Sequence, residues 1–379
     1  MAWAGMDRYD AIVVGGGPAG GAFAITLAAA GRSVALLDRS SSPGLRVGDV
    51  VPPEIRPALV ELGVWESFRS DGHLITPGML SAWGQAEPVA QDHIRNCYGD
   101  GWHIDRRRFA DMLLERAHAV GAKVLRAARV TRLTPLTDGP HNDQGWHVEA
   151  ITGGHRIAMN AAYIVEATGS AASLTRLPTA TATIHDRLVA VLATVEPPRA
   201  GDRTDHRMLL EATENGWWYS AEAPRAGLMV ALMTAPEATH RHGDSLCERW
   251  HRELESAPHT RLRVPPTAAP RVRVVAAKSW LRRAAHGRWL AVGDAAAAYD
   301  PLSGQGVVTA LRSGQDAAVA VVADQAGSKN ALEGYADGVA EQFRRYLRLR
   351  REFYRREHRW PDSPFWQYRR AAPEGSAPR

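Results

Sequence analysis

Lysine is nearly missing from this chain of 379 residues: it stands at Lys123, Lys278 and Lys329 and nowhere else. Cysteine is scarcer still. Cys97 and Cys247 are isolated and form no metal-type spacing, so no metal site is expected. No apolar run reaches the roughly 18 residues of a membrane span, so no membrane partner is expected. The opening stretch MAWAGMDRYDAIVV has no basic region ahead of an apolar core and enters a strand almost at once. A signal peptide is therefore not expected. These absences point to a reducing, cytoplasmic setting. One more bears on function. The chain has one G-x-G-x-x-G unit and no second nucleotide domain, which argues against nicotinamide-linked dehydrogenation.

What is present is length enough for a large core and two structural units. Apolar content is ordinary for a globular protein. The net charge of +5 is uneven: residues 342–370 hold ten Arg against Glu352, Glu357 and Asp362, a local balance of +7. The body is thus close to neutral, and no nucleic-acid partner is expected.

DAIVVGGGPAGGAFAITLAAAGRSVALLDR is the most informative stretch. Ala11–Val14 reads as a buried strand, residues 18–30 as a helix ending near Gly31, and Val34–Leu37 as a second strand ending on Asp38. This is a βαβ unit with an acidic residue at the right separation for a dinucleotide. Gly15 allows the tight turn, Gly17 lets the backbone approach a pyrophosphate, and Gly20 lets helix and strand pack closely. The helix N-terminus faces the phosphates. Asp38 would accept hydrogen bonds from the adenosine ribose. The motif alone does not choose between NAD and FAD.

Three later stretches carry a resemblance. GWHIDRRRFADMLLERA (101–117) resembles the W-x-x-D-R-x-x-F element of flavin-dependent aromatic hydroxylases and halogenases. IVEATGSAASLTR (164–176) resembles their strand-to-loop A-T-G element, and WLAVGDAAAAYDPLSGQGVVTAL (289–311) their second flavin loop. The resemblance implies that the dinucleotide is FAD. It implies an α/β (α+β) fold: a Rossmann-like FAD domain of the aromatic hydroxylase and glutathione reductase type, an interleaved antiparallel substrate sheet and a C-terminal helix. Cofactor contacts fall to Gly15, Gly17, Pro18, Ala19 and Gly20, to Asp38, Arg39, Arg46, Arg106, Val130 and Gly169, and to Gly293, Asp294, Pro301, Gly304, Gln305 and Gly306. Gly293-Asp294 at a strand end offers a carboxylate to a ribityl hydroxyl. A helix opening near Gly304 aims its positive end at the flavin pyrimidine edge, which turns anionic on reduction. Arg46, in LRVGDVVPPE, stands where relatives carry R-x-G-E, with Asp49 in place of the usual Glu.

Residues 181–275 read differently: short strand-like runs broken by turn signals such as ENG and RAG. The expected division is an FAD domain at 1–76, 101–180 and 276–330, a substrate domain at 77–100 and 181–275, and a C-terminal helical segment and tail at 331–379. NGWWYSAEAP (215–224) sets Trp217 beside Trp218. In a strand successive side chains point to opposite faces, so the two rings cannot wall one pocket. Trp217 shares its face with Tyr219, and these two with Trp83 are the expected substrate-pocket residues. The matching W-x-W-x-I-P of tryptophan halogenases is broken here, and residues 47–101 lack the lysine those enzymes need. Oxygen transfer remains: hydroxylation of an electron-rich ring through a flavin C4a-hydroperoxide, with Asp49, His73 or His103 as the base. O2 is the co-substrate, and NAD(P)H or a separate flavin reductase supplies electrons.

The tail, EQFRRYLRLRREFYRREHRWPDSPFWQYRR, reads as an amphipathic helix to about His358, stopped by Pro361. Its arginines are expected in solvent, suited to an acidic peptide. With VPPEIRPALVELGVWESF and the RWPDSPFW ending, the chain resembles a narrower LodB/GoxB-like and peptide-tryptophan hydroxylase subgroup. That resemblance implies a tryptophan of a peptide or protein as substrate and partner. A hydroxylase of a small free aromatic and a flavin-binding maturation chaperone stay open as alternatives.

Overall fold

The computed structural model describes residues 7–39, 50–136, 145–172, 174, 182–196, 205–225, 227–239, 245–266, 268 and 270–371. In chain order, β1 (Arg8–Val14), α1 (Pro18–Ala29) and β2 (Val34–Asp38) form the first unit. Strand β3 (Val50–Val51), helices α2 (Ile55–Glu61) and α3 (Trp65–Ser70), and strands β4 (Leu74–Thr76), β5 (Gly78–Ala82), β6 (Val89–Asp92) and β7 (Gly101–His103) follow. Helix α4 (Arg106–Ala119) leads into β8 (Lys123–Arg126), β9 (Arg129–Pro135), β10 (Trp146–Thr152) and β11 (His155–Glu166). Next come β12 (Thr183–Asp186), β13 (Val189–Val195), β14 (Met208–Thr213), β15 (Gly216–Ala223), β16 (Gly227–Thr234), α5 (Leu246–Leu254) and α6 (Pro258–Arg261). The described chain closes with β17 (Arg273–Ala276), β18 (Ser279–Leu281), β19 (Ala285–His286), β20 (Trp289–Ala291), β21 (Ala297–Ala298), α7 (Gly306–Gln325), α8 (Ala331–Arg356) and α9 (Pro364–Ala371).

The first sheet runs β19-β20-β11-β1-β2-β8, with β10 and β9 branching from β11. β1 is central and parallel to both β2 and β11. Its Ala11–Val14 run is buried, as a strand covered on both faces requires. Helix α1 is apolar nearly all round and packs against both α4 and α7, so no polar stripe is needed. Its approach to α7 is backbone-close: a Cβ on Gly314 would lie 2.2 Å from the Ala19 carbonyl oxygen.

The second large sheet runs β17-β13-β16-β15-β14-β5-β6. It is antiparallel except where β5 joins β14 in parallel, which brings residues 78–92 onto the sheet of residues 189–276. One face, with Leu192, Trp217, Tyr219 and Met229, packs under α8, α9 and Trp83. The other, with Val191, Trp218 and Leu232, is closed by Trp250 of α5. The alternation read from the sequence therefore holds: Trp217 and Trp218 are both wholly buried, on opposite faces.

The tail departs from the expected solvated helix. α8 ends at Arg356, two residues before His358, because Glu357 turns extended and its carboxylate accepts the Gly84 amide at 2.7 Å. Arg350 and Arg369 are buried, not solvated, and both bind Asp186. Among the described residues no helix is long and apolar enough to cross a membrane.

Candidate active site

Three loops meet at the carboxyl ends of β1, β11 and β20. In the first, Gly15 has φ +116°, and a Cβ there would lie 2.2 Å from the Ala167 carbonyl oxygen. Gly20 is pressed equally hard, its Cβ position 2.0 Å from the Gly15 carbonyl oxygen. Gly17 differs. Its φ of −73° suits any residue, and among the described residues no neighbouring atom lies within 4 Å of its Cβ position, so the space in front of Gly17 is open there. Pro18 opens α1, where its missing N–H costs nothing, and Ala19 is buried behind it. Asp38, at the end of β2, accepts the Gly16 amide at 3.3 Å, which ties the acidic residue to the loop. Arg39 follows it into solvent. The Ala128 amide donates to the Asp38 carbonyl at 2.8 Å, and this brings half-buried Val130 to the same end of β2.

The second loop follows Glu166. That carboxylate is fully buried and bound by Arg282, also fully buried, at 2.7 Å. It also accepts the Thr168 hydroxyl at 2.9 Å and the Leu174 amide at 3.0 Å, and so shapes the turn through Gly169. Arg282 donates from Nε to the Ala295 carbonyl in the third loop. One buried ion pair thus staples two loops from beneath. Sequence reasoning missed both residues; the one signal was an acid, Glu166, at the end of an otherwise apolar strand.

The third loop starts at Gly293, with φ +58° and a Cβ position 2.7 Å from the Ala19 Cβ. Its amide is held by the Ser313 hydroxyl at 3.0 Å. Asp294 is half-buried, and with burial it pushes the Tyr299 phenol above its usual range. Asp300 caps the turn that carries Pro301, accepting the Leu302 amide at 3.0 Å. Gly304 takes φ +61°, and Gly304, Gln305 and Gly306 are exposed at the start of α7. That helix has no acid in its first turn and no side-chain cap among the described residues, which leaves its positive end open to an anionic ligand.

Two expected bases are spent elsewhere. His103 is wholly buried in β7 and donates from Nε2 to the His206 carbonyl at 2.6 Å. Burial lowers its pKa, so it stays neutral. The His73 side chain is also buried: Nδ1 accepts the Asp105 amide at 3.2 Å and the ring lies 4.6 Å from Phe68. Burial lowers its pKa too. His73 shapes the entry to α4, which Asp105 caps by accepting the Arg107 and Arg108 amides, with half-buried Arg106 as its first residue. Arg46 and Asp49 lie outside the described residues.

A family model for an FAD-binding domain matches residues 8–341. The chain belongs to the FAD-binding-domain family. The protein named as an FAD-dependent oxidoreductase, LodB of Marinomonas mediterranea, is 28% identical over 97% of this chain and 98% of its own. Among solved structures, the myxobacterial chondrochloren halogenase CndH superposes with a TM-score of 0.82 at 24% identity, over 96% of this chain and 86% of that one. The peptidyl tryptophan dihydroxylase QhpG, essential for tryptophylquinone cofactor biogenesis, gives 0.78 at 22% identity, over 98% and 80%. The FAD-binding-domain fold is thus shared across the whole chain.

FAD fits this member of the family on two observations among the described residues: the open space at Gly17, and the exposed start of α7, with no acid in its first turn and no side-chain cap. The expected substrate-pocket residues pack against the tail. Trp217 has no exposed surface, and its Nε1 donates to the Tyr354 hydroxyl at 3.1 Å. Trp83 donates to the Phe353 carbonyl at 3.0 Å and packs edge-on against Trp366, 5.2 Å away. These two rings weld the sheet to the tail helices. Tyr219 is buried on the same face.

Proposed function

We propose that this FAD-dependent oxidoreductase is a monooxygenase that hydroxylates an electron-rich aromatic ring, namely the indole of a tryptophan borne by a peptide or protein. The observation that carries the choice of hydroxylation is the missing lysine. The halogenases that the chain resembles need a lysine between the first flavin loop and the W-x-x-D-R element, and residues 47–101 contain none. Lys123 is engaged with Asp7 at 3.0 Å on the far side of α4 in sequence. Likeness to LodB over 97% of the chain supports the oxidoreductase class, and likeness in fold to QhpG, named as a peptidyl tryptophan dihydroxylase, supports a polypeptide-borne indole.

In this reading, Gly15, Gly17 and Gly20 with the start of α1 receive the pyrophosphate, and Asp38 the adenosine ribose. Asp294 takes a ribityl hydroxyl. The amides of Gly304, Gln305 and Gly306 face the pyrimidine edge with the positive end of α7. Arg106 would complete the surround. When bound and reduced, FAD would supply two electrons and activate O2, one atom of which goes to the ring and the other to water. The protein's own work is to hold the ring in register and exclude water. His73 is bound to the Asp105 amide at the start of α4 and His103 to the His206 carbonyl.

The test uses the purified protein with FAD, O2, a reductant and tryptophan-bearing peptides encoded beside its gene, with bromide present. Gain of one oxygen atom per peptide is the expected mass change. Bromine in its place would identify a halogenase. Turnover of a free phenol with every peptide inert would remove the peptide from the proposal. Rapid mixing with NADH and NADPH tests the electron source: fast bleaching means a one-component enzyme, and no bleaching means a partner flavin reductase.

A further inference from the structure

Every polar atom of Asp300 that reaches beyond its own turn is gripped by α8. Its backbone amide donates to the Tyr346 hydroxyl at 2.7 Å. Its Oδ2 accepts Arg350 Nε at 3.0 Å and the Tyr354 hydroxyl at 2.8 Å. Its Oδ1 serves the Leu302 amide and so fixes the turn itself. Asp300 is 1% exposed, so water does not substitute for any of these partners. The grip reaches further. Arg350 continues to Asp186, which Arg369 of α9 binds from its other oxygen at 3.0 Å. The Tyr354 hydroxyl also accepts from Trp217 on the large sheet. A single hydroxyl therefore joins the sheet, the tail helix and the loop. The family model ends at residue 341, yet all the residues that hold Asp300 from outside lie beyond it.

We propose that α8 is a clamp on the third cofactor loop: Tyr346, Arg350 and Tyr354 are positioning residues that hold Asp300, and through it the Pro301–Gly306 turn, in the shape that receives FAD. The inference rests on family membership and not on which ring is oxidised. Its logic is conformational. With the clamp intact the turn is formed before the cofactor arrives. With a partner removed, the turn is formed only part of the time, and apparent affinity falls by that fraction.

The test compares FAD dissociation constants and melting temperatures of the FAD-free protein for Tyr354→Phe and Tyr346→Phe. Each deletes one hydroxyl and no charge. Arg359→Met is the comparison: Arg359 ties the tail to the sheet through Glu357 and the Ala82 and Ala212 carbonyls and does not touch Asp300. The clamp variants should bind FAD about tenfold more weakly, as a turn formed one-tenth of the time requires. Arg359→Met should lose melting temperature and keep its FAD affinity. Wild-type affinity in both clamp variants, with melting temperatures lowered as in Arg359→Met, would overturn the clamp and leave the tail as core alone. If Tyr354→Phe does not fold, Tyr346→Phe decides by the same comparison. Wild-type protein that takes up no FAD would overturn the cradle together with the clamp, a different failure from variants that match it.

Discussion

Gly15 and Gly17 are two residues apart in one motif, and the structure asks different things of them. A side chain at Gly15 meets the Ala167 backbone and an unfavourable φ. Gly15→Ala should cost the FAD-free protein about 1–3 kcal/mol, the usual cost of overpacking. Gly17→Ala meets no neighbouring atom among the described residues. It should leave the FAD-free stability within about 0.5 kcal/mol yet weaken FAD binding about tenfold, or ~1.4 kcal/mol. Urea melts of FAD-free protein beside flavin titrations separate the two; equal loss of fold in both variants would refute the distinction. The buried histidines give a second residue-scale expectation. Both have folded pKa values below the unfolded value of about 6.5, because burial opposes the charge. The unfolded chain then binds more protons, so stability is complete above about pH 6.5 and falls as pH drops toward the folded values. The urea midpoint should fall between about pH 7.5 and about pH 5.5. His103→Gln should flatten that fall, and an undiminished slope would assign it to other groups.

At the scale of elements, the contact of α1 with α7 is the one most sensitive to a single methyl group. Gly314→Ala would drive a Cβ into the Ala19 backbone and pry α7 from the loops that both helices carry. A loss of about 1–3 kcal/mol is expected, with FAD affinity falling alongside, since the two loops separate together. Retained affinity in a destabilised variant would show the loops to be independent of the helix contact. This element pair also marks what could be read without coordinates. α1 and β2 fall within a residue of their expected bounds, and β1 ends where expected but starts three residues earlier, at Arg8, because turn glycines, an apolar run and Pro18 act locally while the strand's polar start gives no such signal. The Trp217/Trp218 alternation was legible for the same reason. Long-range pairings were not. Nothing near Glu166 in sequence announces Arg282, nothing near Asp300 announces Arg350, and β5 gives no sign of its parallel pairing with β14. The packing of Trp83 and Trp217 against the tail was hidden in the same way. A tryptophan that walls a pocket and one that seals a seam look alike until the partner, here the tail, is in place.

Across the whole molecule, burial sorts the tail arginines into two sets. Arg350 and Arg369 are structural, while Arg348 and Arg355 stay exposed and Arg351 half-exposed. An acidic peptide substrate would meet the second set, and reversing Arg348, Arg351 and Arg355 to Glu should raise its KM, most at low salt, with kcat less affected. FAD content should not change, since none of the three touches Asp300. An unmoved KM would confine the tail to its packing role. The first sheet has a consequence of another kind, for the order in which the molecule is made. β11 lies between β1 and β20, and Trp289 of β20, opposite Ile164, is 125 positions later in the chain. At a synthesis rate of about 5–20 residues per second, β11 waits some 6–25 s for that neighbour. The last loop of the cradle and its clamp are made later still. A nascent chain therefore shows FAD a finished first loop and an unfinished third one, and cofactor loading belongs to the end of synthesis rather than its course.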